Sequence, residues 1–383
     1  MKKRIAIISV LVLALVVFIS DFPVKHAFLS ALVLSELLRF DSHGWMERVN
    51  SPPRIKEVSY RGPLGVVKAD LYLPQPGMRG SGILLNHGVI DTGKDDPRLK
   101  RLATILCEAG FVVFVPDLKG MRSFHISPSD IDEIQAAFEE FISRGETLPN
   151  SCGLFGFSYG AGPTIIAACR PAIREKVRFV ASFGGYYDLK NVLSYIATGY
   201  FDFQGKRHWR KPQEYGKWVF LANNLALVES PGDREVLGRI LEIKLRDETA
   251  PIDRFLPQLG EEGRNILNLL SHVDPAQTEA FLRKLPLSVQ SSIDALSVGR
   301  GLKDLRANLI LAHGEDDDLI PFTETLRLAQ VAPDPQKMYL QILKTFSHMD
   351  PEPKPLTMKT LFTFYLPEGW KLYRLVYQLM GYR

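Results

Sequence analysis

"CGLFGFSYGAGPTI" occupies Cys152–Ile165. An apolar run ends at Phe157, a serine follows, and glycines stand two residues to either side of it, at Gly156 and Gly160. The pentapeptide Gly156-Phe157-Ser158-Tyr159-Gly160 matches G-x-S-x-G. Alone the match is weak, because roughly one random chain in ten of this length would contain it, with glycine and serine each near 7%. Its setting is more informative. "CGLFGF" reads as a strand and "YGAGPTIIAAC" as a helix, so the serine falls on a strand–turn–helix junction. There the backbone of Ser158 is forced into a strained conformation that lifts Oγ above the sheet edge. The glycines let strand and helix approach closely, and the helix N-terminus favours developing negative charge. The competing reading is an ordinary turn serine.

Outward from this junction the pattern alternates. "KEVSYRG" and "GVVKADLYLP" around Gly62-Pro63 predict an antiparallel hairpin. "GILLNHG" and "FVVFVPD" predict strands, separated by the helix "RLKRLATILCEAG", which closes on Gly110. "SDIDEIQAAFEEFISRG" predicts a helix capped by Ser129 or Asp130 and ended by Gly145. "VRFVASFGG" is a further strand. Strands apolar throughout imply burial on both faces, hence a mostly parallel sheet with helices on each side, an α/β fold. From about Tyr186 to Gly301 the periodicity is helical with no convincing strand. Strands resume at "NLILAHG" and "MYLQIL", bracketing the helix "TETLRLAQV", and a C-terminal helix starts near Pro355. So long an insertion between two strands predicts a separate all-helical cap. The expected division is 1–50 for N-terminal helices, 51–187 with 302–383 for the α/β core, and 188–301 for the cap.

A nucleophilic serine needs a base, and the base an acid. "TFSHMD" places His348 just past a strand end, where ligands and catalytic groups collect in open parallel sheets. "HGEDDDLIP" offers Asp316, Asp317 and Asp318 past the preceding strand, and the order Ser158, Asp, His348 suits this arrangement. Asp188 is a fallback acid. The acidic turn could instead be a solvated run or a cation site, although an EF-hand fails because its glycine and distant glutamate are misplaced. His87 and His313 are expected to hold their turns, and His208 and His272 to lie on the cap surface.

These residues together resemble the α/β-hydrolase superfamily, over roughly Ile55 to Tyr187 and Leu302 to the end. "HGEDDDLIP" looks like the family's acid turn, H-G-x-x-D-x-x-[VI]-P. Aligned on His313, Gly314, Ile320 and Pro321, the resemblance implies Asp317 as the acid. "NHGVIDTGKD" resembles the oxyanion turn, which implies the amides of Val89 and Tyr159 as oxyanion donors. The turn is not of the HGGG form found in many lipases.

The remaining features bound the function. The chain has 383 residues, 46% apolar and 23% charged, with a net charge of +4. That charge does not predict nucleic-acid binding, which needs a concentrated basic face. "KRHWRK" (Lys206–Lys211) is the one dense basic stretch, read as a solvated face or a contact for anionic headgroups or an acidic substrate. Cys107, Cys152 and Cys169 form no CxxC pair and read as small buried hydrophobes. "MKKR" followed by the apolar Ile5–Ile19 predicts an uncleaved signal anchor, with the rest of the chain on the periplasmic or other extracytoplasmic side. Those fifteen residues reach only about 22 Å against a bilayer core of roughly 30 Å, so residues to Val24 are expected to help. Ala27–Leu38 reads as an amphipathic helix lying on the membrane or against the main domain.

The expected activity is acyl transfer to water from a small-molecule acyl substrate, a lipophilic one being inferred from the anchor alone, with no metal or organic cofactor. An acyltransferase or peptidase using the same triad, and a non-catalytic binding protein on the same fold, are the alternatives.

Overall fold

The strands predicted from the sequence assemble into one eight-stranded sheet. The structure, a computed structural model, describes residues 22–38, 52–74, 77, 79–348, 354–355 and 357–383. The Ile5–Ile19 anchor segment lies outside the described residues. Among the described residues no helix is long and apolar enough to cross a membrane.

Strands β1 (Arg54–Gly62) and β2 (Gly65–Leu73) form the antiparallel hairpin, Gly62 opposite Gly65. Then come β3 (Gly80–Asn86), β4 (Val112–Pro116), β5 (Thr147–Phe157) and β6 (Val177–Phe183). The spatial order is β1-β2-β4-β3-β5-β6, completed by two strands from beyond the insertion. All pairings after the antiparallel β2–β4 are parallel. Buried Ile83, Leu84, Leu85, Val113, Phe114 and Val115 explain why β3 and β4 read as unbroken apolar runs.

Two helical layers cover the sheet. On one side lie α1 (Phe22–Leu37) and α2 (Pro97–Glu108), with Asp96 capping α2 through the Arg98 and Leu99 amides. On the other side are α3 (Ser129–Ser143) and α4 (Ala161–Ala168). Neither Ser129 nor Asp130 caps α3 in the predicted way. The Asp130 carboxylate instead turns back to accept the Ser127 amide and the buried Tyr159 hydroxyl. Helix α1 begins five residues earlier than its apolar pattern suggests, because Pro23 is tolerated in a first turn. It is packed against the domain, with the Tyr373 hydroxyl donating to the Ala27 carbonyl and Arg101 to that of Glu36.

Between Phe183 and Asn308 the chain leaves the sheet. Helix α5 (Leu189–Thr198) is followed by a two-stranded antiparallel hairpin, β7 (Tyr200–Phe203) and β8 (Lys206–Trp209). The expected all-helical insertion is corrected here. Each strand has only four residues, too few for a period-2 signal to stand out, and the reversal is made by Gln204 and Gly205, both at positive φ. Phe201 and Phe203 pack edge-on against Phe322 of the core. The helices α6 (Glu214–Asn224), α7 (Pro231–Lys244), α8 (Glu261–Ser271), α9 (Thr278–Leu282) and α10 (Leu287–Ala295) complete the insertion. His272, expected on the surface, is buried, its ring joined to the Leu269 carbonyl and the Thr278 hydroxyl. The C-terminal end of α8 needed a partner for its last carbonyls, and the imidazole supplies one.

The chain then returns through β9 (Asn308–Gly314), α11 (Thr323–Gln330) and β10 (Met338–Leu343), and ends in α12 (Leu366–Met380) against α1. All three cysteines are free and buried.

Candidate active site

Strand β5 delivers Ser158 to the carboxyl edge of the sheet, and a single tight turn (Ser158–Gly160) leads into α4. Ser158 has φ +51°, a left-handed conformation costly for a residue with a side chain. The flanking glycines are sterically required. A Cβ at Gly156 would lie 2.6 Å from Thr164 Oγ1 and 2.7 Å from Ala161 Cα, and one at Gly160 would run into the His87 carbonyl.

His348 follows β10. Its Nε2 is 2.8 Å from Ser158 Oγ and its Nδ1 2.6 Å from Asp317 Oδ2. Asp317 is fully buried in the turn after β9, whereas Asp316 and Asp318 point away to Arg210 and Gln213. Asp188 is spent elsewhere, capping α5 and accepting from Ser297. Of the aspartates considered, only Asp317 therefore meets the imidazole.

The Asp317 carboxylate is fully occupied. Oδ1 accepts the Leu319 and Ile320 amides at 2.9 and 2.8 Å, and Oδ2 faces His313 Nε2 at 3.2 Å as well as His348. Burial would raise its pKa, but the two imidazoles outweigh burial and hold the carboxyl well below the usual range. Its backbone carbonyl is gripped from the insertion, by the Tyr195 hydroxyl at 2.9 Å and the Arg210 guanidinium at 2.7 Å. Arg210 is the fifth residue of the "KRHWRK" stretch; Lys206–Trp209 is exposed, but Arg210 turns inward.

On the other side of Ser158 lies the turn after β3. His87 is buried; its Nε2 accepts the Leu118 amide, so its hydrogen sits on Nδ1 and is donated to the Gly88 carbonyl at 2.8 Å. Burial pushes its pKa down, in keeping with a neutral ring. Across the trans Gly88–Val89 peptide the Val89 N–H points opposite to that carbonyl. Neither the Val89 nor the Tyr159 amide is taken by another group among the described residues. Tyr159 is fixed through its hydroxyl, which donates to Asp130 Oδ2 at 2.8 Å.

Ser158, Val89, Tyr159 and His348 all line one cavity of about 1280 Å³. Its walls are overwhelmingly aliphatic and aromatic, with Val192 and Ile196 of α5, Phe220 of α6, and Val289 and Ile293 of α10 contributed by the insertion.

No family model matches the chain, and no curated protein matches its sequence. Similar solved structures include the acylaminoacyl peptidase of Pyrococcus horikoshii, at 13% identity and a TM-score of 0.50 over 90% of this chain and 43% of that one. Another is a puromycin-hydrolyzing peptidase of Mycobacterium tuberculosis, at 14% identity and a TM-score of 0.51 over 86% of this chain and 39% of that one. The chain has the α/β-hydrolase fold. It spans about two-fifths of the length of these two peptidases.

Three residues of the hydrolase-fold site escaped the sequence reading. Arg210 was hidden in a run of surface cations and Tyr195 among the aromatics that flank α5 on both sides. Gly184, at φ +68°, carries no side chain where one would sit 3.7 Å from Asp317 Oδ2 and 3.8 Å from His348 Cε1. The pair "GG" after β6 was the only available signal for it.

Proposed function

We propose that the chain is a serine hydrolase that cleaves carboxylic esters through an acyl-enzyme. The reading rests on one observation: a single imidazole spans Ser158 Oγ at 2.8 Å and Asp317 Oδ2 at 2.6 Å. His348 Nε2 takes the Ser158 proton as Oγ attacks the substrate carbonyl, and Asp317 keeps the Nδ1 hydrogen in place and stabilises the imidazolium. The Val89 and Tyr159 amides receive the oxyanion, each such donor being worth about 3 kcal/mol in comparable sites. The tetrahedral intermediate collapses, the C–O bond to the alcohol breaks, and His348 returns the proton to the leaving oxygen. Water, deprotonated by the same imidazole, then attacks the acyl-enzyme and releases the acid and free Ser158.

The apolar cavity favours a lipophilic ester over a peptide, whose backbone groups would go unpaired there. The similar solved structures named as peptidases keep amide cleavage as the second reading. Turnover of p-nitrophenyl esters of increasing chain length, beside blocked peptide anilides, separates the two. Comparable ester turnover by Ser158→Ala would rule the mechanism out. If a fluorophosphonate fails to label Ser158 in folded protein, the chain is a binding protein on this fold.

The localisation proposed is membrane-attached, through the Ile5–Ile19 segment, with the catalytic domain extracytoplasmic. The exposed Phe28 of α1 and the exposed Met358, Phe362 and Trp370 at and before the start of α12 support contact with a bilayer surface. A C-terminal reporter active only in the cytoplasm would reverse the orientation.

A further inference from the structure

The cavity over Ser158 does not end beneath the insertion. It continues past the sheet edge into the layer between the sheet and helices α1, α2 and α12. The floor of this second chamber comes from side chains on one face of adjacent strands: Phe155 and Phe157 of β5, Ala181 and Phe183 of β6, and Ala312 of β9. The two-residue spacing within β5 and within β6 puts each pair on the same side of the sheet. Its roof is a stripe of α12, Leu372, Leu375, Val376 and Leu379, at helical spacings of three and four. Val33, Leu34 and Leu37 of α1 and Leu102 and Leu106 of α2 close the sides. From Leu372 to Leu379 the stripe runs about 10 Å along the helix.

Phe157, Phe183, Phe346 and His348 line the same cavity as Ser158, so the space under α12 is continuous with that around the serine. Ser158 Oγ is therefore approached by apolar space from both directions. At about 1280 Å³ the whole cavity exceeds the roughly 300–1,000 Å³ of ordinary small-molecule pockets. A hollow lined by aliphatic side chains forfeits packing contacts in proportion to its volume, and a hydrocarbon chain inside it restores them. The charged residues of the lining are Asp91 and Asp96 before α2, Arg98 and Arg101 on it, Lys217 and Glu262 in the insertion and Asp318 in the acid turn, and none lies on the strand floor or the α12 roof.

We infer that the substrate carries two long aliphatic arms flanking the scissile carbonyl, one lodged beneath the insertion and the other in the chamber under α1 and α12. This rests on the serine hydrolase reading and names its substrate class: an ester of a long-chain acid with a long-chain alcohol. A single-armed ester fills only one chamber.

The test uses the full chain and two phosphonofluoridates, in which Ser158 Oγ bonds to phosphorus as fluoride leaves. One bears a diazirine at the tip of a hexadecyl group on phosphorus, the other at the tip of a hexadecyloxy group. After labelling and irradiation, cross-linked peptides are identified by mass spectrometry. One probe is expected to link to α1 or α12, and the other to the 188–301 insertion. Labelling is expected to be at least tenfold faster with both arms long than with either shortened to methyl. Cross-links from both probes confined to the insertion, tips that capture only solvent, or equal rates with one and two long arms overturn the proposal while leaving the serine hydrolase intact. Failure of both probes, and of a small fluorophosphonate, to phosphonylate Ser158 in protein with the circular dichroism of the folded chain overturns the hydrolase reading itself.

Discussion

Arg210, at the end of the insertion's hairpin, donates to the backbone carbonyl of Asp317 at 2.7 Å, and Tyr195 donates to the same oxygen at 2.9 Å. Both lone pairs of that carbonyl are filled from the insertion. The acid turn is thus held by its own amides and by the insertion, so the insertion also fixes the carboxylate that meets His348.

Removing this grip should slow the reaction without unfolding the core. Arg210→Ala is expected to lower kcat/KM about tenfold, roughly 1.4 kcal/mol of transition-state stabilisation. Because Tyr195 serves the same oxygen, Arg210→Ala with Tyr195→Phe should depart from additivity. Steady-state kinetics on the single and double variants decide it. Wild-type kcat/KM in Arg210→Ala would mean that the clasp is ornamental.

The acid assignment has its own check. Asp317→Asn should reduce kcat by about four orders of magnitude, the loss found in comparable triads when the imidazole loses its orienting carboxylate. Asp316→Asn and Asp318→Asn should stay within a fewfold of wild type, since both side chains point to the insertion rather than to His348. A larger loss from either neighbour than from Asp317→Asn would reassign the acid.

Much of this was visible in the chain itself. "NLILAHG" and "MYLQIL" match β9 and β10 to the residue: β9 is an inner parallel strand, apolar on both faces, and β10, the half-buried edge strand beside it, still ends abruptly at a polar turn. The glycines around Ser158 were legible because nothing larger fits between β5 and α4. The β7–β8 hairpin was not, since four-residue strands carry little periodicity and its turn uses Gln204 rather than asparagine or aspartate. Arg210 was unreadable for a different reason: one inward-facing cation in a run of exposed ones has no local signature. The chamber under α12 was equally hidden, because lining a hollow and filling a core call for the same aliphatic residues.

His87 gives a prediction at the oxyanion turn. Its Nδ1–H holds the Gly88 carbonyl while Nε2 takes the Leu118 amide. His87→Phe keeps the ring volume and frees both partners. The Gly88–Val89 peptide should then lose its fixed orientation, and kcat should fall by about a hundredfold, near the loss of one oxyanion donor. KM should change little if the amide acts on the transition state. A rise in KM at unchanged kcat would make His87 a binding rather than an oxyanion support.

Asp130 predicts a pH dependence of stability. It is buried beneath Tyr159, and burial raises its pKa to about 6 despite the bonds from the Ser127 amide and the Tyr159 hydroxyl. A carboxyl whose folded pKa exceeds its unfolded value of about 3.8 binds its proton more tightly when folded. Its contribution is therefore fully present below about pH 4 and is lost as pH rises through 6, a decrease on the order of 3 kcal/mol. Asp317 has the opposite sign, since its pKa is depressed and its contribution fades only as pH falls below the ordinary carboxylate range. Glu324, whose pKa burial raises, and His87 and His272, whose pKa values burial lowers, add their own pH dependence, so the Asp130 contribution is read from the difference between wild type and Asp130→Asn. Asp130→Asn, neutral throughout, can still accept from Tyr159 and should be more stable than wild type at pH 7.5, with the advantage shrinking toward pH 4.5. Urea unfolding across this range reads the difference directly, and parallel curves for the two proteins would show that Asp130 is already ionised at no cost.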